Sequence, residues 1–236
     1  MQFGAIVFDI DNVFFDGTYW HRQLHQMVSK WGQQKQFHAF RKLWQADFLP
    51  RVYSGELEYW DALASFFCSI GLSVSEAREL LASSKSKLKI VQANLRPFSN
   101  VSETLALLRN SRQRLAVVSN SVHQSSELLK LLEQIGIKTK FDFCMTSRSA
   151  CRVMPDKMAL IRVASELGIC RAETAYVSTN LDRLEIAAET GLFPILLSDT
   201  PTTLGERIPG TCGHTIRRFA ELTSLCMSAK QKKIAA

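Results

Sequence analysis

The chain has no apolar run approaching the roughly 18 residues that a membrane-crossing helix needs. Its N-terminus shows no basic segment followed by a small-residue cleavage site, so a cytoplasmic rather than a secreted protein is expected. The six cysteines form no Cys-x-x-Cys pair and are expected to be reduced thiols, mostly packed. Internal repeats are absent. The only dense basic cluster is "KQKK" (230–233), read as part of a solvated, frayed tail. Acidic residues are the minority, 22 against 29 Lys and Arg, which gives a formal charge of +7. Because the basic residues are scattered, this excess points to a small anionic substrate rather than to nucleic acid or a membrane.

What remains is an ordinary globular composition, 46% apolar, on 236 residues, enough for one large core with an insert. Residues 4–10 are a short apolar run rich in strand formers. From residue 97 onward, strand and helix patterns alternate. "SNVSETLALLR" (99–109) has Asn100 and Glu103 at capping-box spacing and precedes the strand "LAVVS" (115–119). A helix over 122–136 leads to "FDFCM" (141–145). Another over 155–168 starts at Pro155, ends at Gly168 and leads to "TAYVS" (174–178). A last helix ends at Gly191 before "FPILL" (193–197). This order predicts an α/β protein, a doubly wound parallel Rossmann-like sheet.

The interval 18–95 lacks the alternation and holds all four tryptophans. Its apolar positions Leu57, Trp60, Leu63, Ala64 and Phe67 fall at helical spacing, which predicts an inserted α-helical cap with its own aromatic core. The expected organisation is a core of residues 1–17 and 96–225, a cap of 18–95, and a flexible basic tail of 226–236.

In a doubly wound sheet, chemistry sits beyond the carboxyl ends of the strands. Asp9 and Asp11 follow the first strand, Ser119 and Asn120 close the second, and Thr179, Asn180 and Asp182 follow the fourth. "RVMPDK" (152–157) lies between the third strand and its helix. With Asp16, the first loop carries three carboxylates, which need a positive partner to stay charged together. His21 and His25 have metal-ligand spacing but no evident third ligand.

"VFDIDNVFFDG" (7–17) resembles the first signature of the haloacid dehalogenase-like hydrolases. "LAVVSNS" (115–121), the region 141–168 and "AYVSTNLDRLEIAAETG" (175–191) are similar to the signatures that follow, and the cap falls at the family's insertion point. The resemblance implies that Asp9 attacks phosphorus to form an aspartyl-phosphate and that Asp11 serves as acid and then base. It implies that Ser119 holds a phosphoryl oxygen, and that Mg²⁺ sits between Asp9, Asp11 and an acid of the fourth signature. Asp16 is read as a loop-capping residue.

Two departures bear on this. Where the family has Lys before Pro-Asp, this chain has Met154, with Lys157 and Arg152 as the nearest substitutes. Thr179 falls in place of an acid and Arg183 in place of the later acid, leaving the oxygens of Asn180 and Asp182 as replacement ligands. Mg²⁺ binding is therefore expected to be weaker than usual or absent. The expected catalytic set is Asp9, Asp11, Ser119 and Lys157, with Asn120 and Arg41 as substrate contacts. Asp9, Asp11, Asn180 and Asp182 are the expected metal ligands. The leading expectation is a phosphatase on a small phosphate ester. The alternatives are a catalytically silent protein that binds a phosphorylated ligand or a protein partner, and a metal-independent 2-haloacid dehalogenase.

Overall fold

A computed structural model describes residues 3–30, 37–198 and 213–226. Six strands, β1 (Ala5–Phe8), β2 (Arg114–Ser119), β3 (Phe143–Thr146), β4 (Thr174–Ser178), β5 (Phe193–Leu197) and β6 (His214–Ile216), form one sheet in the order β3-β2-β1-β4-β5-β6. All pairings are parallel. Between β1 and β2 lie α1 (Tyr19–Ser29), α2 (Phe37–Leu43), a π-helical turn at Trp44–Phe48, α3 (Leu49–Tyr53), α4 (Tyr59–Ser69), α5 (Val74–Asn94) and α6 (Val101–Asn110). Beyond β2 come α7 (Ser125–Gln134), α8 (Ser147–Ala150), α9 (Lys157–Leu167), a 3₁₀ turn at Arg171–Glu173 and α10 (Leu181–Glu189).

Side chains of a strand alternate between its faces, and β1 is apolar at every position, as a strand covered on both sides must be. Ile6 and Phe8 join a cluster with Leu105 and Leu108 of α6 and Leu128 and Leu132 of α7. Ala5 and Val7 join a second with Leu160 and Val163 of α9 and Leu184 and Ala187 of α10. A third cluster, built around Leu24, Trp44, Leu63 and Phe66, belongs to the helices between β1 and α6. Trp44 is fully buried there, with its ring 5.2 Å from that of Phe66.

Several local expectations are corrected. Asn100 stands before α6 with φ of 67° and makes no side-chain cap, because its left-handed backbone turns the amide away. Capping boxes form instead at Ser73–Glu76 and Gln124–Glu127. Pro155 precedes α9 rather than opening it. Asp156 is the cap, accepting the Ala159 N–H at 2.6 Å. Of the five described cysteines, Cys68, Cys151 and Cys170 are exposed, so the thiols are not mostly packed. No helix among the described residues is long and apolar enough to cross a membrane. Cys226 is buried, and the rest of the expected tail, like Cys212, lies outside the described residues.

β1 lies between β2 and β4: the chain runs outward from β1 through β2 to β3, then crosses back to β4 on the other side of β1. That reversal opens a crevice beyond its carboxyl end. Register then decides what meets there. Phe8 pairs with Val117 on one side and Val177 on the other, so Asp9 emerges level with the ends of β2 and β4.

Candidate active site

Asp9 is 1% exposed, and its carboxylate accepts four hydrogen bonds. Oδ1 takes the Ile10 N–H at 2.9 Å and the Ser119 hydroxyl at 2.6 Å. Oδ2 takes the Ser178 hydroxyl at 3.0 Å and the Arg183 guanidinium. An ionised carboxylate offers about four lone-pair positions, so Asp9 is saturated. Ser119 and Ser178 are the last residues of β2 and β4, which is why strand register alone delivers both hydroxyls.

Arg183 lies in the first turn of α10. Asn180 caps that helix, its Oδ1 accepting the Arg183 N–H at 3.1 Å, and the Asn180 N–H donates to Ser178 Oγ at 3.1 Å. The loop thus fixes where the arginine starts, and the guanidinium returns to Asp9 as a largely buried ion pair. Burial works against the charge of Arg183. The carboxylate of Asp9, with Tyr176 and Asp11 nearby, outweighs it and raises the arginine's pKa. Removing one member of such a pair leaves an uncompensated buried charge, at a cost of about 3–5 kcal/mol.

Asp11 is in a different state. Burial, then the charge of Asp9, push its carboxyl up to about 7, with Arg183 pulling the other way. Gly17 is packed against it, and a Cβ there would stand 3.0 Å from Asp11 Oδ1. The turn therefore needs glycine for close approach. Asp16 caps the same turn, accepting from the Thr18 N–H at 2.9 Å and pairing with Arg22. Asp9, Asp11, Asn120, Thr179, Asn180, Asp182 and Arg183 border one cavity of about 740 Å³, which Arg41, His21 and Tyr53 close from the cap side. Burial and the neighbouring Arg41 bring His21 down to about 4, against a backbone hydrogen bond to Gly17 that opposes them, so the ring is neutral near pH 7.

The structure brings together Asp9, Asp11, Ser119, Asn120, Arg41, Asn180 and Asp182. Lys157 is not among them. It opens α9 on its outer face and pairs with Glu189 at 2.9 Å, with its side chain 64% exposed. Arg152 pairs with Asp156 at 2.9 Å. The Asn120 amide is spent on the backbone of Met154, donating to its carbonyl at 2.6 Å and accepting its N–H at 2.7 Å. Met154 is 2% exposed and packs into the apolar cluster under α9 and α10.

The residues expected to hold Mg²⁺ do not fit a divalent cation. Asp9 Oδ2 is bound to a guanidinium, Asn180 Oδ1 is spent capping α10, and the charge on Arg183 would repel the ion. Among the described residues, no three His, Cys, Asp or Glu side chains are grouped as a metal site. The functional residues that sequence reasoning missed are Arg183 and Ser178. The available signal was a charge exchange, a cation where an acid is usual in a chain that lacks the usual lysine.

A 2-haloacid dehalogenase from Pseudomonas syringae pv. Tomato shares this fold at 14% identity, with a TM-score of 0.66 over 97% of this chain and 100% of the other. An L-2-haloacid dehalogenase from Xanthobacter autotrophicus, with chloropropionic acid covalently bound, gives 15%, 0.64, 96% and 99%. A candidate β-phosphoglucomutase from Thermotoga maritima gives 14%, 0.68, 97% and 99%. No curated protein matches the chain. The family model for haloacid dehalogenase-like hydrolase matches residues 3–191, spanning β1 and the two aspartates that follow it, the helical insert and the helix α10 that carries Arg183. The chain belongs to the haloacid dehalogenase-like hydrolase family.

Proposed function

We propose that the protein hydrolyses a small phosphate monoester through Asp9, with Arg183 as its resident cation in place of Mg²⁺ and of the lysine that Met154 replaces. One observation carries this reading: two carboxyl groups border one cavity in different settings, Asp9 clamped by Arg183 and Asp11 pushed up to about 7, where a large share keeps its proton at neutral pH. An ester oxygen needs a proton to leave, and a halide does not. A protonated Asp11 therefore has work in phosphate ester hydrolysis and none in dehalogenation.

The incoming anion competes with Asp9 for the Arg183 guanidinium, which frees a lone pair on Oδ2. That oxygen forms a bond to phosphorus as the ester P–O bond breaks, and the departing oxygen takes the Asp11 proton. Asp11, now a carboxylate, removes a proton from water as the water attacks phosphorus. The aspartyl–phosphorus bond breaks, returning Asp9 and releasing inorganic phosphate. Arg183 and Arg41, both bordering the cavity, offset the charge on the transferring group, usually the largest contribution to catalysis.

The test is phosphate release from simple monoesters in EDTA, beside Asp9→Asn and Asp11→Asn. Turnover in EDTA that both substitutions abolish supports the reading. The dehalogenase reading is favoured by "VSTN" (177–180), which resembles the Ser-x-Asn of 2-haloacid dehalogenases, and by the guanidinium beside Asp9. It gains if 2-chloropropionate releases chloride and no ester is cleaved. If neither occurs, the saturated Asp9 belongs to a protein that binds an anion without turning it over.

A further inference from the structure

Asp11 borders two cavities. Beside the polar one lies a second, of about 170 Å³, between the cap helices and the loops after β1 and β2. Asp11, Gly17, His21, Leu49, Tyr53 and Asn120 line both, so the Asp11 carboxyl stands at their junction. The second cavity is walled mainly by aromatic and aliphatic groups, including Trp20, Tyr59, Leu88 and Val91. Gln92, Ser121 and His123 add polar groups to its lining, and two of its other polar tips are engaged elsewhere. The Trp20 indole N–H donates to the Tyr59 hydroxyl, and Asp16 is engaged by Thr18 and Arg22. His21 is neutral near pH 7. A dry apolar cavity of about 150 Å³ accepts benzene, so this one is the size of a single ring.

We infer that the second cavity seats one aromatic ring on the leaving group of the substrate, which makes that substrate a benzyl- or phenyl-type ester. The inference rests on the proposed ester hydrolysis. Its physical basis is the placement of Asp11. With the anion against Arg183 and Arg41 and the ring among Trp20, Tyr53 and Tyr59, the leaving oxygen falls at the wall the two cavities share, where the Asp11 carboxyl lies. The ring gains apolar burial together with edge and face contacts.

The experiment compares benzyl phosphate with ethyl phosphate, whose leaving groups are of similar basicity, and follows 4-fluorobenzyl alcohol binding by fluorine NMR. The expected result is a kcat/KM about 100-fold higher for benzyl phosphate. Val91→Trp or Leu88→Phe, which fill the cavity, cut that preference severalfold and weaken binding of the fluorinated alcohol. Leu88 is only half-buried, so its variant remains informative if Val91→Trp fails to fold. Equal rates for the two esters, or alcohol binding that neither variant changes, would overturn the aromatic subsite. Alcohol binding weakened by the variants, with no phosphate released from either ester, would keep the subsite and sink the hydrolysis reading.

Discussion

Replacing Asp11 by Asn should make the protein more stable, and by an amount that depends on pH. In the folded chain the Asp11 carboxyl is raised from the ordinary 3.8 to about 7 by burial and then by the charge of Asp9. The folded state therefore holds this proton more tightly than the unfolded state does. Below the unfolded value both states are protonated and the contribution is fully present. As pH rises, the unfolded chain ionises first, and stability is lost until the folded group ionises too. At about 1.4 kcal/mol per pH unit the full loss is about 4 kcal/mol, and wetting of the cavity reduces it to about 2–4 kcal/mol. Asn is nearly isosteric with the neutral acid and does not titrate. The difference between Asp11→Asn and the parent should be small near pH 4, grow through the window from about 4 to about 7, and stay level above it. Urea unfolding at a series of pH values, with an unchanged m-value, reads this directly. A difference that stays flat across that window would refute the claim that the fold holds Asp11 as an acid. On the same reasoning, phosphate release should fall as pH rises through about 7, because the proton donor is lost.

Arg183→Gln should destabilise the fold by about 3 kcal/mol, and the loss should shrink by about 2 kcal/mol in an Asp9→Asn background, because the stranded charge is then absent. Thermal or urea unfolding of the four proteins in the cycle measures the coupling. Gly17→Ala should lower kcat about 10- to 100-fold, since a methyl 3.0 Å from Asp11 Oδ1 displaces the proton donor. No positive φ is involved at Gly17, so any stability loss should come from the close contact with Asp11 alone. Lys157→Ala should change stability by less than about 1 kcal/mol and leave phosphate release intact, as its exposed pair with Glu189 lies outside the cavity.

The alternation of strands and helices was legible in the sequence because each strand is covered on both faces and each helix on one. β4 and β5 fall at the expected residues, 174–178 and 193–197. β6 has only three residues, too few to show a pattern. Asp9 was legible as the first polar residue after a buried run, and Ser119 as the residue that closes the next strand. The ion pair was not, because it joins residues 174 apart and depends on the β1–β4 register together with the Asn180 cap. Nor could sequence show that Lys157, three residues past Met154, opens α9 on the side facing Glu189. Asn100 misled for a local reason. Its spacing to Glu103 suits a capping box, but its left-handed backbone does not.

Arg183 holding the place of a metal ion is the proposal to test first. The measurement is the unfolding temperature during a Mg²⁺ titration, for the parent and for Arg183→Asp, which removes the guanidinium and restores an acid at that position. A ligand that binds only the folded state raises stability in a saturable way. The parent should show no saturable rise in the millimolar range, while Arg183→Asp should start less stable and gain one. A saturable Mg²⁺-dependent rise in the parent, equal to or larger than in the variant, would contradict the account.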